Sequence, residues 1–102
     1  MRMYVISDNI DTYTGMKLAG VNGVVVHTKS EFLEQLDMVL ADKTIGIVLI
    51  TEKLCNEARD TINKLKLTLK TPLIVEIPDR HGSGRRPDFI TAYVNEAIGL
   101  KL

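Results

Sequence analysis

Tryptophan is absent from this sequence, cysteine occurs once, and aromatic residues fill only 5% of its 102 positions. A lone Cys55 excludes an internal disulfide and gives no sign of export. An excess of one charge is missing too, since 13 basic residues offset 13 acidic ones. A general nucleic-acid binder carries a basic surplus, so that class is set aside. No apolar run approaches the ~20 residues of a membrane span. No signal peptide is read at the start, where Met1-Arg2 leads straight into a short strand-like run. What remains is the profile of one soluble cytoplasmic domain, 45% hydrophobic and 25% charged, large enough for a real core but without room for a second domain.

Catalytic motifs are also missing. The segment Ser7-Asp8-Asn9-Ile10-Asp11 after the first strand has neither G-x-G-x-x-G nor a phosphate-loop lysine. Gly82-Ser83-Gly84 follows the last strand, the wrong place for a dinucleotide loop. Asp8 and Asp11 could hold a hard cation, but two carboxylates in a turn more often cap or face solvent. His27 and His81 have no partners at metal-ligand spacing. Cys55 falls on the buried stripe of its helix and reads as a small core residue. No catalytic residue, cofactor or metal is expected.

The chain is organised around Thr44-Ile45-Gly46-Ile47-Val48-Leu49-Ile50-Thr51-Glu52. Its aliphatics run without polar alternation, which marks a central strand of a parallel sheet covered on both faces. Before it come a strand over Met3–Ser7 and a short helix with Thr12 as the expected N-cap, ending at Gly20. Gly15 inside that helix points to close packing. Strand two is expected at Gly23–His27, and Thr28 with Glu31 forms a capping box. The helix it opens places Phe32, Leu33, Leu36, Val39 and Leu40 within about 120° of arc, the stripe of a helix lying on a sheet. After the central strand, Leu54, Cys55, Ala58, Ile62, Leu65 and Leu69 share one face of a helix that Pro72 terminates. Leu73–Ile77 is the fourth strand, with Glu76 suggesting an edge.

Four strand–helix alternations with right-handed crossovers give an α/β domain with a four-stranded parallel sheet, order 2-1-3-4, of flavodoxin or receiver type. Residues 1–78 make the sheet unit, 79–86 a flexible basic loop and 87–102 a C-terminal helix opened by Pro87. That helix departs from the pattern. Phe89, Ile90, Tyr93, Val94, Ala97 and Ile98 spread over about 180°, too wide for one sheet face. It reads either as a closely nestled terminal helix or as one serving a partner as well.

Three stretches carry a resemblance: DNIDTYTGMKLAGV from Asp8, ITE from Ile50 with ARD from Ala58, and IPDRHGSGRRPDFITAYVNEAI from Ile77. In order and spacing the chain resembles the F subunit of the V/A-type rotary ATP synthases and ATPases, nearly end to end. The resemblance implies a noncatalytic rotor subunit of the central stalk, peripheral to the membrane without entering it. It implies a coiled-coil shaft partner (the D subunit), rotation within a catalytic hexamer of A and B subunits, and coupling of ATP turnover to proton or sodium movement. It also implies a mobile C-terminal helix. With it, Arg85, Arg86, Phe89, Ile90, Tyr93 and Val94 become the candidate partner contacts. The family usually has Gly where this chain has Ser7, one residue fewer in that loop, and often an aromatic where Met16 stands. The competing function is a receiver-like regulatory domain. Against it, Thr51-Glu52 ends the third strand where such a domain carries its acceptor Asp.

Overall fold

Two neighbouring strands, β1 (Arg2–Ser7) and β3 (Ile45–Thr51), form the middle of the sheet in a computed structural model that describes residues 2–78. β2 (Asn22–Val25) lies outside β1 and β4 (Leu73–Ile77) outside β3, giving the order β2-β1-β3-β4 with every pairing parallel. This is the expected topology. Of the aliphatics in β3 only Ile47 is half-buried; Ile45, Val48, Leu49 and Ile50 are buried. Each such side chain contributes about 1.5–3 kcal/mol on removal from water.

Because consecutive strand residues face opposite ways, the sheet has two cores. Ile6, Val48 and Ile50 pack with Phe32, Leu36 and Val39 of α2 (Lys29–Ala41), with Leu54 and Cys55 of α3 (Glu52–Glu57) and with Ile62 of α4 (Arg59–Thr68). Val5, Leu49 and Ile77 pack on the other side with Met16 of α1 (Ile10–Leu18) and with Val21. Right-handed crossovers require this split, since only the β1-to-β2 step runs in its own direction across the sheet.

Local chemistry sets the boundaries. Gly20 takes a positive φ of 89°, Gly20 N donates to Lys17 O and Val21 N to Met16 O. That is a Schellman ending, closed by the apolar contact of Val21 with Met16. The capping box at Thr28 forms as expected. Strand two begins earlier and ends sooner than the apolar run suggested. The N–H groups of His27 and Thr28 bond the Glu31 carboxylate instead of a neighbouring strand.

The helix expected after β3 is two helices. Ala58 (φ −131°, ψ 42°) interrupts it, yet Leu54, Cys55, Ala58 and Ile62 stay buried on one side, with Leu65 and Leu69 packed partly against them. Helix ends at Thr68, ahead of Pro72. From just past the break Arg59 grips Glu76 with two bonds, 2.7 and 3.0 Å, and bonds Asn56 as well. Lys66 adds a third cationic contact to Glu76. β4 is an edge strand, but Glu76 is therefore no solvated guard of that edge. Its charge faces α4 and fastens the strand to it.

Two expectations follow. A Cβ on Gly23 would lie 2.2 Å from both Cγ1 and O of Val5, so β2 would have to lift from β1. Gly23→Ala should cost about 1–3 kcal/mol in urea unfolding; an unchanged midpoint would contradict this packing. Bonds from Arg59, ahead of the opposing effect of burial, hold the Glu76 carboxyl down at about 2 against an ordinary 4.5. A depressed carboxyl stabilises the fold above its unfolded value, and that contribution fades as pH falls from about 4.5 towards 2. Glu76→Gln should therefore lower stability by about 1–3 kcal/mol at neutral pH, with the gap to the parent protein closing through that window. Thermal melts across pH 2 to 7 read it directly; a pH-independent gap would mean that packing, not charge, is lost.

Candidate functional site

In an open parallel sheet the ligand-binding position is the carboxyl end of the strands, beside the switch between the first and third. Here that end gathers Ser7, the last residue of β1, with Asp8, Asn9 and Asp11 from the loop and helix that follow, Thr51 at the end of β3 with Glu52 next to it, and His27 after β2. The turn after β1 is tied internally. Ser7 Oγ donates to Asn9 O at 2.7 Å and accepts from Asn9 N at 3.0 Å. Asp8 N donates to Thr51 Oγ1 at 3.2 Å, linking the two central strands at their ends. Asn9 Nδ2 donates to Asp8 Oδ1, and Asn9 Oδ1 accepts from Thr12 N at 2.7 Å.

Asn9, not Thr12, is thus the N-cap, and α1 begins one turn sooner than expected. Thr12 lies on the sheet-facing side with Met16, four residues on, and is 1% exposed. Among the described residues its Oγ1 has no hydrogen-bond partner. The i, i+4 spacing of Thr12 and Met16 was the available signal that Thr12 belongs inside the helix. Two of the departures from the family pattern, Ser7 and Met16, acquire structural roles. Ser7 supplies the side chain that ties its turn, and Met16 is fully buried against Val5 and Leu49.

The other candidates resolve in the same way. Thr51, where a receiver would carry its phosphate acceptor, is a buried hydroxyl engaged by Asp8 N. His27 is exposed. The N–H groups of His27 and Thr28 hold the exposed Glu31 carboxyl below the usual range, aided by the nearby imidazole. Cys55 is buried with Sγ 3.9 Å from Ile50 O, and burial first, then the charge of Glu76, pushes its thiol up to about 12. Such a thiol is a poor nucleophile at neutral pH. Among the described residues, no three of His, Cys, Asp and Glu gather to hold a metal ion. No described helix is long and apolar enough to cross a membrane.

The structure brings together Ser7, Asp8, Asn9 and Thr51. Arg85, Arg86, Phe89, Ile90, Tyr93 and Val94 lie outside the described residues, as do the loop over 79–86 and the helix over 87–102. What sequence reasoning missed is Arg59. Its partner is 17 positions away on an edge strand, and no local period connects a helix start to that strand. Thr51 and Arg59, both in segments that carried the resemblance, join elements of the fold here.

Residues 3–94 match the family described as ATP synthase (F/14-kDa) subunit. The A-type ATP synthase F subunit of Methanosphaera stadtmanae is 36% identical over 90% of this chain and 88% of its own length. That of Methanothermobacter thermautotrophicus is 35% identical over 96% and 92%. That of Pyrococcus furiosus is 36% identical over 100% of this chain and 98% of its own. With a match running through all four strands, the chain belongs to the ATP synthase (F/14-kDa) subunit family.

Proposed function

We propose that this chain is the noncatalytic central-stalk subunit of a V/A-type ATP synthase or ATPase. In this reading it binds the coiled-coil shaft (the D subunit) and turns with it inside the hexamer of A and B subunits. ATP turnover is thereby coupled to proton or sodium movement, at the cytoplasmic periphery of the membrane. The observation that carries it is the match to A-type ATP synthase F subunits along nearly the whole length of both chains. The geometry supports the noncatalytic part. At the strand ends the hydroxyls of Ser7 and Thr51 and the amide of Asn9 are spent on the turn and the helix cap. A rotor subunit transmits torque through surfaces and needs no acid, base or phosphate loop.

Within this reading residues 87–102 form the shaft-binding helix. Phe89, Ile90, Tyr93 and Val94 supply apolar contact, and Arg85 and Arg86 the charged approach. The width of the apolar stripe supports it, because one helix resting on one sheet face needs only about 100°. Purification of the tagged protein from its native cell should bring down a set of ATPase subunits; a lone sensor kinase would favour the receiver-like alternative instead.

Isolated protein should show no saturable heat with ATP in calorimetric titration, and acetyl phosphate should leave its mass unchanged. Micromolar binding near Ser7 and Thr51, or one added phosphoryl group, would overturn the noncatalytic reading. Deleting residues 87–102 should leave a cooperatively unfolding but less stable domain with weakened affinity for the shaft. Tyr93→Ala with Val94→Ala should weaken binding while costing less than the ~2–5 kcal/mol of fully enclosed truncations. Circular dichroism melts beside shaft pull-downs separate the outcomes. Outright unfolding of the deletion would make the helix part of the core and sink its proposed role.

A further inference from the structure

We draw no further inference here: the strongest candidate, the partly exposed apolar face of β3 and β4 opposite α3 and α4 (Ile47, Leu73 and Val75), shows nothing among the described residues of what covers it.

Discussion

A parallel sheet has no hairpins, so every strand after the first must be reached by a crossover, and the crossovers supply the cover its faces need. In this chain the requirement falls on β3. Val48 and Ile50 anchor the core shared with α2, α3 and α4, while Leu49 anchors the core shared with α1. A polar side chain at any of these positions would leave an unsatisfied group in one core or the other. The division of β1 between the two cores, Val5 in one and Ile6 in the other, and the choice of helix faces follow from the same demand. So does the position of Met16 beneath its helix.

Polar side chains are used sparingly and mostly where elements end. Ser7 and Asn9 shape the exit from β1, Thr28 and Glu31 the start of α2, and Thr44 with Asp42 the approach to β3. Arg2 then joins Asp42 at 2.7 Å, drawing the first strand towards the close of α2. The strand ends offer a site in topology, but in chemistry they are a set of joints. Under the proposed function the work is carried by surfaces, the shaft contact among them.

Much of the fold was legible because its signals are periodic. The unbroken aliphatics of β3, the α2 stripe and the Thr28–Glu31 box each report a local geometry, and all three stand as expected. Misreadings arose where two local signals compete or the deciding contact is distant. Asn9 and Thr12 are both good caps, and what decides between them is the bond from Thr12 N to Asn9 Oδ1 together with the burial of Thr12 beside Met16. The β-branched run to Val26 suggested a longer strand two, but Glu31 takes the backbone donors of His27 and Thr28. Ala58 carries no breaker signal; the interruption is visible only once Arg59 is seen reaching Asn56 and Glu76. The candidate partner contacts from Arg85 to Val94 rest on stripe width and family resemblance, with no described geometry beside them.

The Arg59–Glu76 pair has a mechanical meaning. Glu76 is the penultimate residue of β4, and the chain continues from there to its C-terminal segment. A pull transmitted from that segment along the strand axis loads the β3–β4 bonds in shear, so that they resist together. A sideways pull would peel them one at a time from Ile77 backwards. Fastening Glu76 to α4 places a brake one residue inside the point where peeling starts. The edge strand is therefore held against the direction in which it is weakest.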